Sequence, residues 1–224
     1  MDDDSGERSA FAAAYAEHPL RSAAVNELHA RPFELISTPR VVCHFAALAG
    51  EEEFAAELGT IARLCSEAGI PAPPEGARHV SLELGGWQLR WERHTEFCTH
   101  TWHARPPAGS GDDAFRPPLD RMALAGKVLV AVRLDLVADD LEEGALADRF
   151  DLSSFCLALA DDGAARISTD FKIGPDGMTR ILIENRTLGA AAAGQLVQRV
   201  LEIETYRSLA LLGLPEAIAA GPEI

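Results

Sequence analysis

The chain has 224 residues, of which 47% are hydrophobic and 25% charged, and its formal net charge is −15. This composition is ordinary for a globular protein, and the length allows a sizeable core. The acidic excess repels phosphate backbones, and with only Lys127 and Lys172 beside scattered arginines there is no basic patch. Nucleic-acid binding is therefore not expected, and adhesion to an anionic membrane surface is disfavoured for the same reason.

The start, Met1-Asp2-Asp3-Asp4, has no basic or apolar leader, and no apolar run approaches the roughly 18 residues a membrane helix needs. These features point to the cytoplasm and against membrane insertion by this chain. Cys43, Cys65, Cys98 and Cys156 form no C-x-x-C pair and fall in apolar stretches, so reduced, mostly buried thiols are expected.

Residues 1–20 are a polar lead-in with a short helix over 9–17, ended by Pro19. A second short helix covers 21–28, after which Pro32 holds Arg31 extended. Residues 40–48 alternate with apolar side chains on both faces, which predicts a central strand covered on both sides. Over 51–68, Phe54, Leu58, Ile61 and Cys65 form a helical stripe. Glu51, Glu52 and Glu53 suit its N-terminal end and Gly69 its C-terminal stop.

Residues 79–84 read as a strand and Gly85-Gly86 as a hairpin turn, with one long, bulged strand returning over 87–103. The Gly, Ser, Asp and Pro of 106–118 mark a linking loop. A strand over 127–137 places Val128, Val130, Val132, Leu134 and Leu136 on a buried face, and a helix falls within 141–150. A meander follows over 155–160, 166–173 and 179–186, with turns at 161–163 and 175–177. Thr187 is the expected cap of a final helix reaching Leu212, with Leu196, Val200 and Ile203 in its stripe beside Val197 and Leu201.

The fold class is α+β. A single domain over 21–216 contains two similar strand–helix–hairpin or meander halves, 38–105 and 126–187, and 217–224 form a tail. The sheet is mainly antiparallel, with helices packed on it and a long amphipathic C-terminal helix. One continuous sheet with its helices on one face is one arrangement of the halves; two sheets is the other.

Chemistry-bearing residues cluster in Trp87–Phe97. On a continuous strand Arg90, Glu92, His94 and Glu96 share one side, a row able to do acid–base work with His94 and a carboxylate, or simply a solvated charged face. Arg93 falls on the opposite side with Trp87, Leu89 and Trp91, where it needs a carboxylate; Glu27, Asp170 and Glu204 are the candidates. Asn26, Glu27, His29 and Arg31 form a second polar cluster, and Glu204 can pair with Arg207 one helical turn on. Cys98 and His100 share a strand face as zinc ligands would, but His103 faces away and no second ligand pair exists, so no metal site is expected. There is no phosphate-binding glycine loop, H-E-x-x-H or G-x-S-x-G, hence no cofactor expectation.

The segments 26–32, 91–97, Thr169-Asp170-Phe171, 196–199 and 203–207 resemble the hallmark segments of an uncharacterised bacterial family, domain of unknown function 3422, over about residues 20–216. The resemblance implies no activity, cofactor or catalytic residue. Longer members look membrane-anchored through C-terminal helices that this chain lacks, so it is a short member or a piece of a longer one.

Three readings stay open. One is a domain binding a small anionic ligand or a protein partner through Asn26, Glu27, His29, Arg31, Arg93, His94, Asp170, Glu204 and Arg207, with the final helix as a homodimer surface. The second is a hydrolase-like or lyase-like enzyme using His94 with Glu92 or Glu96, and the third a structural module.

Overall fold

A computed structural model describes residues 16, 18, 19, 21, 22, 25, 33–107, 115–138, 141 and 143–212. The chain divides into two compact units, Met1–Phe33 and Glu34–Ile224. In the first, Arg21, Ser22 and Val25 are helical; the short helix expected over 9–17 lies, but for Ala16, outside the described residues.

The second unit is an eight-stranded sheet in the order β2-β3-β4-β1-β5-β8-β7-β6. Its strands are β1 (Arg40–Leu48), β2 (His79–Leu84), β3 (Trp87–Arg93), β4 (Phe97–Ala104), β5 (Lys127–Val137), β6 (Cys156–Ala160), β7 (Ala165–Ile173) and β8 (Thr179–Asn185). The helices are α1 (Glu51–Glu67), α2 (Glu143–Ala147) and α3 (Ala190–Leu212). Every pairing is antiparallel except β5 with β8. Gly85 and Gly86 take φ of 60° and 81°, and so form the tight β2–β3 turn that a side chain would strain.

The two halves meet along β1 and β5 in one continuous sheet. Moving outward from that seam, one half runs β1-β4-β3-β2 and the other β5-β8-β7-β6, so the strand order is mirrored. The correspondence stops at polarity, because β1 runs antiparallel to β4 while β5 runs parallel to β8.

Alternation along the central strands builds two cores. Val41, Cys43, Phe45 and Ala47 of β1 join Phe54, Ile61 and Leu64 of α1 with Trp91 and Trp102. Val42 and Ala46 face the other way, with Val132, Leu134, Ile181 and Ile183, against Ala193, Val197 and Leu201 of α3. Leu146 of α2 packs on Leu182, which has the opposite side of β8 from Ile181 and Ile183. Helices therefore cover both faces, not one: α1 and α2 share a face and α3 takes the other. Both faces of β1 are apolar because each needs a cover.

Three local expectations change. The strand expected over 87–103 is a hairpin, β3 and β4, with Arg93 opposite Cys98. Val128 is 47% exposed, beyond a register shift at Ala46/Ala47. α3 begins at Ala190, and Asn185 organises the turn before it: its side-chain oxygen accepts from Leu188 N–H and its amide donates to Leu188 O, leaving no cap role for Thr187. Among the described residues, no helix is long and apolar enough to cross a membrane.

Candidate functional site

The β3–β4 turn dissolves the charged row. Arg90 and Glu92 remain on one side of β3 and pair at 2.8 Å. His94 sits in the turn, is buried, and stacks on Phe97 with ring centroids 3.9 Å apart. Glu96 is exposed, so Glu92, His94 and Glu96 share no strand face.

Arg93 lies on the α1 side of β3, as the alternation requires, and finds its carboxylate in the first turn of that helix. Its guanidinium bonds Glu51 and lies 4.4 Å from the Phe54 ring centroid. Of the three expected partners, Glu27 lies outside the described residues, and Asp170 and Glu204 are too far or on the wrong side. Asp170 is on β7, five strands and about 24 Å across the sheet, and Glu204 is on α3, against the opposite face. Asp170 instead accepts the backbone N–H groups of Asp151 and Lys172 at 2.8 and 3.0 Å. Glu204, buried, pairs with Arg207 at 2.7 Å, and Arg207 covers the Phe171 ring. Asn26, Glu27, His29 and Arg31 lie outside the described residues. The described residues of that ligand-binding set thus fall at separate places: Arg93 and His94 at the end of β3, Asp170 on β7, and Glu204 with Arg207 on α3.

Two other clusters are more concentrated: the sequence placed Cys98 and His100 of the first on one strand face but did not bring Glu57 to them, and it missed the second. The first is a buried polar network between α1 and the sheet. Cys98 and His100 project from alternate positions of β4 towards α1, and Glu57 comes down from the helix among Phe54, Ile61 and Leu64. Glu57 accepts from His100 Nε2 at 2.9 Å, from Trp91 Nε1 at 2.6 Å and from Ala125 N–H at 2.9 Å. Gly126 fixes that last donor: a Cβ there would lie 2.1 Å from Leu48 O. Burial pushes the Glu57 carboxyl up, but the His100 bond and charge, Ala125 and Trp91 together outweigh it and hold it at about 2. The Cys98 thiol, 3.9 Å from His100 Nε2, is pushed well above its ordinary range by burial and the Glu57 charge. On the other face His44 joins Thr101 and Thr205, 2.8 and 3.0 Å away; burial first, then the charges of His100 and Arg90, pull it down to about 3.

The second cluster is a cleft of about 140 Å³ where β1 begins and β5 ends. Arg40, Arg133 and Arg149 line it with a single carboxylate, Asp135, and with Phe115. Arg133 is 3% exposed; it pairs with Asp135 at 3.2 Å and donates to Phe115 O at 3.1 Å. Arg149 reaches Asp135 at 3.7 Å. Arg40 pairs with no carboxylate among the described residues, and its Nε is buried without a hydrogen-bond partner. Burial, then the neighbouring Arg105 charge, pulls its pKa below the ordinary arginine value. The sequence carried a signal here, since Arg133 and Asp135 interrupt the second face of an otherwise apolar central strand.

These features define a mixed α+β domain on a continuous, mostly antiparallel eight-stranded sheet with a long C-terminal helix. The family described as Protein of unknown function (DUF3422) matches residues 16–224, and the chain belongs to that family. No curated protein and no solved structure matches it.

Proposed function

We propose that this domain binds a small anionic ligand in the cleft lined by Arg40, Arg133 and Arg149. The observation carrying this reading is Arg40, a guanidinium without a carboxylate partner among the described residues, whose Nε is buried and finds no hydrogen-bond partner among them, in a chain of net charge −15. A buried donor left unpaired is costly, and three guanidiniums facing one carboxylate leave a local positive excess. Planar guanidinium forks suit carboxylate and phosphate oxygens, and Asp135 already holds Arg133 in place. The cleft's size suits a compact ligand such as a di- or tricarboxylate or a phosphate.

Thermal-shift titration with phosphate, succinate and citrate tests it, comparing wild type with Arg40→Ala. Arg40 is the informative position because its removal breaks no ion pair among the described residues. A charged hydrogen bond contributes about 1.5–3 kcal/mol, so the variant should bind roughly ten- to a hundredfold more weakly. Equal stabilisation of both proteins by every anion would remove the cleft from consideration.

A further inference from the structure

We propose that Glu57, Cys98 and His100 form a binding site for one thiophilic divalent metal ion of the zinc class. The proposal stands on a different part of the molecule from the arginine cleft and does not depend on it. The three residues offer an oxygen, a sulfur and a nitrogen. Glu57 Oε2 and His100 Nε2 are 2.9 Å apart, Cys98 Sγ and His100 Nε2 are 3.9 Å apart, and all three donor atoms lie within 4.8 Å of one another. Zinc bonds of roughly 2.0–2.3 Å place the donors of a tetrahedral site about 3.3–3.8 Å apart. Small shifts therefore suffice to seat an ion among them.

The scaffold favours such a site. Cys98 and His100 sit two residues apart on β4, a strand paired on both sides by β3 and β1, so their shared direction is fixed by the sheet. Glu57 approaches from α1, and its carboxylate is oriented by the Ala125 N–H and the Trp91 indole. Hydrogen bonds that aim a ligating carboxylate in this way are a regular part of protein metal sites. All three residues are buried, which shields a bound ion from competing ligands. The donor set also discriminates. Calcium and magnesium require shells of oxygen, whereas thiolate with imidazole suits zinc, cobalt or cadmium. A carboxylate and a thiolate neutralise a divalent charge in this apolar layer, and a water completes the tetrahedral shell. Binding displaces the hydrogen bond between His100 and Glu57: the Nε2 proton leaves so that the imidazole ligates through Nε2 as the neutral Nδ1–H tautomer, and the Cys98 thiol proton is released to solvent with it.

The experiment uses the full chain, stripped of metal and kept reduced, titrated with cobalt(II) and then zinc(II). The expected result is one equivalent of cobalt per chain, with a thiolate-to-cobalt charge-transfer band and the visible absorption of tetrahedral cobalt, both abolished by zinc. Cys98→Ser should lose the charge-transfer band, and Glu57→Gln should weaken binding at least tenfold. Cys65→Ser, at a buried thiol outside the cluster, should behave as wild type. Wild type that binds no stoichiometric cobalt overturns the proposal whatever the variants do. So does a charge-transfer band that survives in Cys98→Ser.

Discussion

At the scale of single residues, the buried titratable groups set how the protein responds to acid. His44 has a folded-state pKa of about 3 against an ordinary value of 6.5. The unfolded chain takes up its proton first, so His44 lowers stability progressively as pH falls from 6.5 towards 3. Glu57, held at about 2 against an ordinary 4.5, adds stability that is complete above 4.5 and lost between 4.5 and 2. Urea unfolding from pH 7 to pH 3 should show stability falling throughout, and His44→Gln should flatten the slope between 6.5 and 4.5. An unchanged slope would mean that His44 is protonated in the fold. Glu57→Ala removes the acceptor from two buried donors, Trp91 and His100, and from Ala125 N–H, and urea unfolding should report a loss of roughly 3–5 kcal/mol, as for other broken buried pairs. A loss below about 1 kcal/mol would show that the network is not under load.

These residues were only partly legible beforehand. Glu57 sits three residues after Phe54 and four before Ile61, inside the apolar stripe of α1, where a carboxylate must be buried and paired. Periodicity can expose that conflict but cannot name the partners, because Trp91, His100 and Ala125 come from elements brought together only by the sheet. Arg93 shows the same limit. Its side of β3 followed from alternation, but its carboxylate, Glu51, depended on where α1 starts.

At the scale of elements, β1, α1, β2, β5 and the closing meander follow from pattern and turn chemistry. The β3–β4 turn does not, because His94-Thr95-Glu96 contains no Gly, Pro or Asn. Its trace is a change of phase. Trp87, Leu89 and Trp91 face α1 at odd positions, whereas Cys98, His100 and Trp102 do so at even ones. α3 is rotated from its expected stripe: Ala193, Gly194, Val197, Leu201, Glu204 and Thr205 are buried, and Ile203 is 67% exposed. The reason is Gly194, where an added Cβ would fall 1.8 Å from Glu34 O, so α3 meets the backbone of 34–36 closely at this position. Gly194→Ala sets two effects against each other. Helix propensity favours alanine by about 1 kcal/mol, but forcing backbones apart in a packed core costs about 1–3 kcal/mol. The clash should win, and calorimetry should show a lower Tm. A raised Tm would contradict the close approach.

At the scale of the whole molecule, two similar halves were suggested by the repeated strand–helix–meander pattern, but not the mirrored order of their strands. One sheet or two stayed open, since joining β1 to β5 is a pairing across 79 or more residues that no local signal records. That seam and the core beneath α3 couple the halves, so Glu34–Ile224 should unfold as one cooperative unit. Trp87, Trp91 and Trp102 all lie in β3 and β4, so tryptophan fluorescence reports one half and far-ultraviolet circular dichroism the whole. The two transitions should coincide in urea; a separate fluorescence transition would mean that the halves unfold independently.

The same seam forms the arginine cleft, since β1 supplies Arg40 and β5 supplies Arg133 and Asp135. The most direct test of anion binding there is the nitrogen-15 resonance of the Arg40 side-chain N–H, followed during titration with phosphate and with citrate. The account predicts a saturable shift of that signal with at least one of these anions, accompanied by Arg133 and absent from Arg63, which is exposed on α1 and paired with Glu67. An Arg40 signal that stays still, or moves only in step with Arg63, would contradict it.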